Sequence, residues 1–385
     1  MIHIFSFIKS LLFIFIFQII FIPKTQAQEL NTSNNKKQFL SGNVIDSETL
    51  KPIPHVEVFI SGSTSGCITD SLGNFNLKIP FFPCTLVADH VAYESFITPL
   101  EKQKEKFKMA LSPSLFSINE ISVSGKNKRK RNLRFFYSRF IKENKNKVKI
   151  LNDSVLIFDR TKMDFKASTK EPLIISNNYL GYNIKAIIEK FHVYCVDEPN
   201  GSKISLNSTK GGDIIQLSGY YYYEPIKTSS HEKMDLFEKN RRLNYYGSYR
   251  HFLKSIYDEN PGQQGYEMEF FLNDTDLSTI KLFEKGIKSS ESDQVKNCLF
   301  TGDSIKITYI FDDNKFPINI ENLSHQNYFD TKKSIIYPSK ESFQIRPNGT
   351  SPNVNFIIQG AMSPENFTNS LPEDYEPSKN STLTF

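Results

Sequence analysis

Histidine is the side chain most often found in metal and acid–base sites, so the residues around the seven histidines are the first place to look for a catalytic or metal-binding motif. One common type of zinc peptidase binds its metal through a His and a Glu three residues apart, together with a distant His. No histidine of this chain has a Glu three residues later, and the pattern His-Glu-x-x-His is absent. We therefore predict no metal site and no metallopeptidase activity.

Motifs for a nucleophile or for phosphate binding are also missing. Residues 62–66, Gly-Ser-Thr-Ser-Gly, come near a nucleophile elbow, but Thr64 stands where that motif requires Ser. We interpret this segment as a flexible turn, and the acidic pairs 312–313 and 373–374 as surface turns. The chain has neither a Walker A sequence nor Gly-x-Gly-x-x-Gly. The sequence thus predicts no catalytic residue, no cofactor and no enzyme activity.

Two groups of side chains indicate binding instead. Four consecutive tyrosines on one strand would face both sides of a sheet and offer an aromatic surface, unless one pair lies in the core and the other at its rim. Cationic side chains between residues 241 and 251 could bind an anion or a peptide end, unless they form the solvated face of a helix. The candidate partner surface comprises Tyr220, Tyr221, Tyr222, Tyr223, Arg241, Arg242, Arg250 and His251.

The N-terminal 27 residues have the pattern of a secretory signal peptide. Lys9 precedes residues 11–22, which are apolar except for Gln18, and small residues then allow cleavage before Gln28. The alternative, an uncleaved anchor, would need about 20 apolar residues. Export would leave 358 of the 385 residues and a net charge of +3 instead of +5, too small to indicate nucleic-acid binding. We predict a periplasmic or outer-membrane-associated protein.

Length and composition allow two or three domains with sizeable cores, since the chain contains 33 Phe and 18 Tyr. The four cysteines, at positions 67, 84, 195 and 298, could form disulfides after export. Cys67 and Cys84 each precede a predicted strand of the same region, so a bridge between them is one interpretation. Four buried thiols are the other.

The region 38–124 reads as a series of short strands. Apolar residues alternate with polar ones along residues 56–60, 75–79 and 107–111, which is typical of strands with one buried face. Asp70 and Gly73 occupy the first and fourth positions of a predicted type I turn.

The residues 39–46, 52–58 and 69–75 give an order of strand, turn and Gly that resembles the carboxypeptidase regulatory-like domain. The resemblance implies a seven-stranded β-sandwich of transthyretin-like type at 38–124 that acts as an accessory module. One departure is Ala92, which stands where the family usually has Gly, so the local turn is expected to differ.

A basic run at 125–131 is interpreted as a solvated linker to the next domain. Leu133, Phe136, Tyr137, Phe140 and Ile141 then recur with helical spacing, and Asn132 is a plausible N-cap. We expect this helix to pack on the second domain. The alternative is a basic amphipathic helix on an anionic membrane surface.

The remaining residues, 132–378, are predicted to form an α+β domain, with a helix over 241–256 that Gly247 interrupts. Segments 173–182, 241–253 and 371–375 resemble exported Bacteroidetes-type proteins that carry the regulatory-like domain, and this resemblance implies no activity. In larger relatives the sandwich precedes outer-membrane transporters, which suggests an adaptor role.

The sequence therefore predicts a β-rich, two-domain, non-catalytic envelope protein that binds a protein or envelope partner, with peripheral membrane association as an option. The alternative is a hydrolase or glycan-active enzyme with an unrecognised site, and a carbohydrate-binding module is a third hypothesis. A pocket that pairs His251 with a carboxylate would favour the enzyme. A flat Tyr-rich or basic surface would favour binding.

Overall fold

The alternation of apolar and polar residues near the N-terminus produces two facing sheets. In the first sheet, β1 (Gln38–Asp46) pairs antiparallel with β4 (Asn74–Ile79) and parallel with β7 (Lys106–Leu111). The second sheet has the order β3-β2-β5-β6. Its strands are β2 (Glu57–Ile60), β3 (Gly66–Ile68), β5 (Cys84–Asp89) and β6 (Phe96–Leu100). The sheets enclose one hydrophobic core, so the prediction of a β-rich chain that begins with a sandwich is confirmed.

The computed structural model describes residues 38–104, 106–114, 126–141, 146–161, 164–195, 213–272, 275–276, 290–292, 295–299, 304–310, 332–338, 342–352, 356–362 and 369–377. The predicted signal peptide, the acidic pair 312–313 and the end of the predicted sandwich at 115–124 lie outside these ranges. From Gln38 onwards the chain packs as one compact unit.

The helix α1 (Lys126–Phe140) includes the basic run that the sequence suggested as a linker. Asn132 lies inside this helix and is buried, so it is not the N-cap. The difference has a simple cause, because Lys and Arg are good helix formers and extend the helix toward its N-terminus. The predicted apolar face is correct and packs on the sheet that follows. The ring centroids of Phe136 and Phe191 lie 4.9 Å apart in that core.

The middle sheet is organised around one long strand, β12 (Tyr182–Cys195), which pairs with β13 (Asp213–Pro225) along its length. Its other edge pairs first with β11 (Leu173–Asn177) and then with β10 (Asp164–Thr169). The sheet is completed by β8 (Val148–Ile150), which pairs with β11, and β9 (Leu156–Arg160), which pairs with β10. An irregularity between Ile188 and Lys190 shifts the register. This bulge lets one strand keep its apolar residues on the α1 side from end to end.

Two short helices connect this sheet to the C-terminal strands. The helix α2 (His231–Tyr245) is capped by Ser230, and α3 (Tyr249–Tyr257) is capped by Ser248. The predicted helix over 241–256 is therefore two helices. Gly247 breaks it because its φ is +71°, and a Cβ there would lie 2.5 Å from the ring of Tyr309.

The C-terminal strands form two further sheets with the orders β15-β14-β18-β19-β21 and β16-β17-β20. The strands are β14 (Tyr266–Leu272), β15 (Thr275–Asp276), β16 (Ser290–Ser292), β17 (Val295–Leu299), β18 (Ser304–Tyr309), β19 (Lys332–Pro338), β20 (Ser342–Ile345) and β21 (Phe356–Gly360). They share a core with α3. Within the described ranges, no helix combines the length and the apolar character needed to cross a membrane.

Cys67 and Cys84 are free thiols, so of the two interpretations left open the bridge between them is wrong. Cys67 lies on β3 and Cys84 on β5, and β2 runs between these two strands. Neighbouring strands are about 4.8 Å apart, so the two Cα atoms are separated by at least about 10 Å, beyond the reach of a disulfide. Cys298 is also free and buried.

The core beneath α1 should dominate the stability of the middle region. Phe136 is fully buried among aromatic rings, whereas Phe39 on β1 is 44% exposed. We expect Phe136→Ala to lower the free energy of unfolding by about 3–5 kcal/mol in urea titrations. The matched change Phe39→Ala should cost less than about 1 kcal/mol. Equal effects of the two substitutions would contradict this packing.

Candidate functional site

The four consecutive tyrosines lie on β13, where the sandwich meets the middle sheet. The ring of Tyr222 stacks on Phe59 of the sandwich with a centroid distance of 5.3 Å. Tyr220 and Ile187 pack against the same small cluster. Tyr223 faces the opposite side and is buried in the α1 core, where Tyr221 also packs. The strand therefore uses its aromatic residues on both faces inside the molecule.

The segment that resembled a nucleophile elbow docks the sandwich onto this strand. We call residues 61–65 the docking loop. The Gly62 N–H donates to the carbonyl of Tyr221 at 2.7 Å, and the Tyr223 N–H donates to the carbonyl of Ser63 at 3.0 Å. Ser63 and Tyr222 thereby form a parallel bridge. The prediction of a flexible turn is wrong, because these backbone groups find their hydrogen-bond partners in β13.

A second segment, residues 370–375, crosses the same junction, and we call it the tail strap. Its Glu373 N–H donates to the carbonyl of Gly62 at 2.6 Å. The Asp374 carboxylate accepts from the Thr64 N–H at 3.0 Å and from the Thr64 hydroxyl at 2.6 Å. Glu373 pairs with Arg346 at 2.9 Å, and the Arg346 side chain is only 8% exposed. Residues 373–374 do form a turn, as predicted, but the turn is half-buried and joins distant parts of the chain.

Two arginines of the predicted cationic cluster at 241–251 donate hydrogen bonds to backbone carbonyl groups of this chain. The Arg250 guanidinium donates to the carbonyls of Pro372 (2.6 Å) and Tyr375 in the tail strap, and to that of Asn348 (3.0 Å). Arg241 donates to the carbonyl of Leu180 at 2.8 Å. A guanidinium can bind several carbonyl groups at once because its N–H donors lie in a fixed plane.

His251 sits in a cage of aromatic rings and is 3% exposed. Its Nδ1 accepts from the Tyr266 hydroxyl at 2.8 Å and from the Gly247 N–H at 3.2 Å. Nε2 lies 3.3 Å from Oε1 of Gln264. Burial lowers the pKa of His251 to about 4, so the imidazole is neutral near pH 7. These contacts are structural and include no carboxylate.

The candidate partner surface is therefore largely internal. Tyr223, Arg242 and His251 are buried, and a buried side chain cannot meet a partner without unfolding its surroundings. The prediction of an exposed surface is wrong for these residues. The other five, Tyr220, Tyr221, Tyr222, Arg241 and Arg250, are half-buried in contacts within the chain.

Another histidine does meet a carboxylate: His192 on β12 contacts Asp164 on β10, and Lys166 lies 3.2 Å from the same carboxylate. These groups lie on the face of the sheet opposite the α1 core, where the His192 side chain is 17% exposed. Within the described part of the chain, no set of His, Cys, Asp and Glu side chains is arranged to hold a metal.

The sandwich has a second end, opposite the docking loop. The docking loop follows β2, whereas β2 begins beside the last residue of β5, at the pair Glu57 and Asp89. The strand β4 begins opposite Asn43, near the last residues of β1. The loops before β2, before β4 and after β5 therefore lie together at the end opposite the docking loop. We call residues 47–56, 68–73 and 90–95 the free loop end.

Asp46 ties these loops together. Its Oδ1 accepts from the backbone N–H groups of Glu48 (2.9 Å) and Thr49 (2.7 Å), and its Oδ2 accepts from the Tyr93 hydroxyl at 2.9 Å. The hydrogen bonds from Thr49 and Tyr93 lower the pKa of Asp46 below its usual value. The loops are thus held in one arrangement before any partner arrives.

The turn before β4 is built in the same way. Asp70 Oδ1 accepts from the N–H groups of Leu72 (2.9 Å) and Asn74 (2.8 Å), and Gly73 has a φ of +72°. The predicted turn is confirmed at this position. Leu50 and His55, which are not glycines, also have positive φ values of +59° and +58°. Backbone of this kind persists only where its surroundings fix it, and it often occurs in binding loops.

The free loop end exposes large apolar side chains. The fractional exposures are 69% for Leu50, 61% for Ile68, 64% for Leu72 and 79% for Val91. Single exposed apolar residues are common on protein surfaces, but this group of four lies on the loops of one end of the sandwich. Sequence reasoning missed it, although an apolar residue in the middle of a predicted turn, such as Leu72, was a usable signal.

The pH dependence of stability tests the buried state of His251. In the unfolded chain its pKa is near 6.5, against about 4 in the folded chain. Between these values the unfolded state binds more protons, so the free energy of unfolding should fall by roughly 3 kcal/mol as the pH drops from 6.5 to 4. His251→Gln should remove this part of the slope, whereas His231→Gln, at an exposed position, should leave it unchanged. An unchanged slope in His251→Gln would refute the assignment.

The contact between Asp374 and Thr64 should stabilise the docked sandwich. We expect Asp374→Ala to lower the free energy of unfolding by roughly 1–2 kcal/mol in urea titrations, because the Thr64 donors lose their acceptor. The control is Asp258→Ala, which removes an exposed pair with Lys254 at 2.6 Å and should cost about 0.5 kcal/mol or less. If the control costs as much, the tail strap contributes nothing specific.

Comparison with known proteins gives one family match. Residues 40–123 match the CarboxypepD_reg-like domain. No curated protein matches the chain.

Several solved structures are similar to parts of the chain. A type II cohesin–X-dockerin complex from Acetivibrio cellulolyticus is 17% identical, with a TM-score of 0.17, over 20% of this chain and 52% of that chain. The chain thus spans about half the length of that protein. A DUF3823 family protein from Bacteroides ovatus ATCC 8483 is 11% identical, with a TM-score of 0.17, over 49% of this chain and 97% of its own. Another DUF3823 family protein, from Parabacteroides merdae ATCC 43184, is 10% identical, with a TM-score of 0.15, over 48% of this chain and 80% of its own.

TM-scores this low mean that little structure superposes, so we draw nothing from these likenesses. The family match covers a segment in which seven strands and one hydrophobic core have been described independently. Residues 40–123, which form the N-terminal β-sandwich of this chain, thus match the carboxypeptidase regulatory-like domain family.

Proposed function

We propose that this chain is an exported, non-catalytic binding protein whose free loop end contacts a protein partner of the cell envelope. The observation that carries the proposal is the group of four exposed apolar side chains, Leu50, Ile68, Leu72 and Val91, on loops that Asp46 and Asp70 hold in place. Export follows from the predicted signal peptide at residues 1–27.

The physical basis is the burial of apolar surface on binding. Full burial of one Leu, Ile or Val side chain contributes about 2 kcal/mol, so the four together could supply about 8 kcal/mol before the costs of association. Loops that are already ordered lose little conformational entropy when a partner docks. A protein surface with complementary apolar side chains is the partner that fits this site best.

The docking loop and the tail strap support the same function. They attach the sandwich at one end through backbone hydrogen bonds and through the Thr64–Asp374 contact. An ion pair between Lys185 of β12 and Glu57, the first residue of β2, adds a contact near the other end of the same sheet. The opposite end is thereby presented in a fixed orientation, as an accessory module requires.

The alternative function, a hydrolase or glycan-active enzyme, predicts a pocket in which His251 lies beside a carboxylate. The structure surrounds His251 with Tyr266, Gln264 and the Gly247 backbone instead. His192 and Asp164 do form a pair, but they lie on the sheet face opposite the α1 core, far along the chain from His251. No observation favours the enzyme over the binding protein.

Site-specific crosslinking tests the proposal. We expect a photoreactive residue at position 72 of the exported protein to capture one dominant envelope protein, whereas one at Leu151, exposed at 63% on the middle region, should capture none. The same adducts from both positions would show that capture is not specific to the free loop end.

The captured partner, once purified, gives a quantitative test. Leu50→Ser, Leu72→Ser and Val91→Ser combined should weaken its binding at least tenfold, because each removes apolar area from the contact. The control combines Leu151→Ser, Met234→Ser and Leu236→Ser, three exposed apolar residues elsewhere. Thermal unfolding should be unchanged in both variants. Equal binding by the two variants would refute the proposal.

A further inference from the structure

The helix α1 concentrates the positive charge of the chain. It carries seven basic residues and no acidic one: Lys126, Lys128, Arg129, Lys130, Arg131, Arg134 and Arg139. The whole chain has 47 basic and 42 acidic residues, so the rest has 40 basic and 42 acidic residues and a net charge of −2. The excess positive charge of the protein therefore resides on one helix.

Four of these side chains point to solvent. Lys128, Lys130, Arg131 and Arg134 are exposed, and we call them the basic face. Among the described residues, no acidic side chain pairs with any of the four. Arg129 differs, because it donates to the carbonyls of Leu156 (3.1 Å) and Asp153 (2.7 Å) and so helps to hold the helix on the sheet.

The charge arrangement does not serve the stability of the helix. The first turn of α1 contains no acidic residue, and the cations near its start oppose the helix dipole. Arg131 and Arg139 also lie near Arg160 of β9, whose pKa is lowered by burial and by these two like charges. Like charges gathered in this way cost folding free energy, which points to a ligand that compensates them.

We propose that the basic face binds the phosphate headgroups of an anionic phospholipid bilayer. At 3.6 residues per turn, the four side chains spread over about 160° of the helix surface and about 9 Å of its length. Such a spread fits an extended sheet of negative charge better than one small anion. The apolar face of α1 is buried in the core of the middle region, so the helix lies on the membrane surface without inserting.

This inference goes beyond the proposed function, because the free loop end and the basic face are separate surfaces. Adsorption to a bilayer would concentrate the protein where an envelope partner resides. The crosslinking test of the free loop end and the vesicle test of the basic face can therefore give independent results.

Vesicle co-sedimentation of the chain from Gln28 to Phe385 tests the proposal. We expect binding to vesicles of equal parts phosphatidylcholine and phosphatidylglycerol, and none to phosphatidylcholine alone. The combined change of Lys128, Lys130, Arg131 and Arg134 to Gln should weaken binding about a thousandfold. Gln is as good a helix former as Lys or Arg, so this variant should unfold at the same temperature as the unmodified protein or slightly above it.

The matched control changes Lys102, Lys104, Lys106 and Lys108 to Gln. These four lysines are exposed on the sandwich, so the net charge falls by the same amount. The control should keep nearly all of the binding. Equal loss in both variants would overturn the proposal, since net charge alone would then explain adsorption.

Two further readouts apply to the unmodified protein. Binding should decrease steeply with added salt, as expected for exposed charges. Competition by inorganic phosphate at equal ionic strength should have little effect, and strong competition would indicate a small-anion site instead. Retention on a polyglutamate or DNA column without binding to anionic vesicles would also overturn the proposal.

Discussion

The structure depends on a set of backbone hydrogen bonds between segments that are far apart in the sequence. The docking loop carries backbone N–H and carbonyl groups that have no partner inside the sandwich. When the middle sheet covers the loop, these groups must find hydrogen-bond partners in the segments that cover it. The strand β13 supplies one set of partners and the tail strap supplies the other. Glu373 and Asp374 then become stable in a half-buried position, because Arg346 and Thr64 face them.

This junction explains why the most conspicuous residues of the sequence are largely internal. Tyr220 and Tyr222 fill the gap between two sheets, Tyr221 and Tyr223 pack in the α1 core, and Arg250 and Arg241 hold backbone carbonyl groups. Large aromatic rings and planar guanidinium groups do this work well, because each covers much surface and makes directed contacts. The same properties are used at protein interfaces, so residue type alone does not separate the two roles.

These side chains are buried or half-buried at the junction. Among the described residues, the two surfaces proposed for binding differ in physical character. The free loop end offers apolar contact, which acts at short range and depends on shape. The basic face of α1 offers a field of positive charge, which acts over a Debye length and depends on salt. A protein that meets a membrane first and a partner second would need both kinds of surface.

The local patterns of the sequence determined most of the secondary structure. Period-two alternation specified β4 and β7, helical spacing specified the buried face of α1, and Asp70 with Gly73 specified the turn. Each of these features depends on residues that are neighbours along the chain. The sequence also indicated that Gly247 interrupts a helix, although not that the ring of Tyr309 lies against it.

Only the tertiary structure decided what each buried face meets. Thr64 and Asp374 are 310 positions apart, and no local pattern announces such a contact. For the same reason, the sequence could not tell a tyrosine in the junction from one on the surface, or a structural arginine from a binding one. Periodicity shows that a side chain turns inward or outward from its own strand or helix. What lies opposite is set by the packing of distant segments, and that packing leaves the free loop end and the basic face to the solvent.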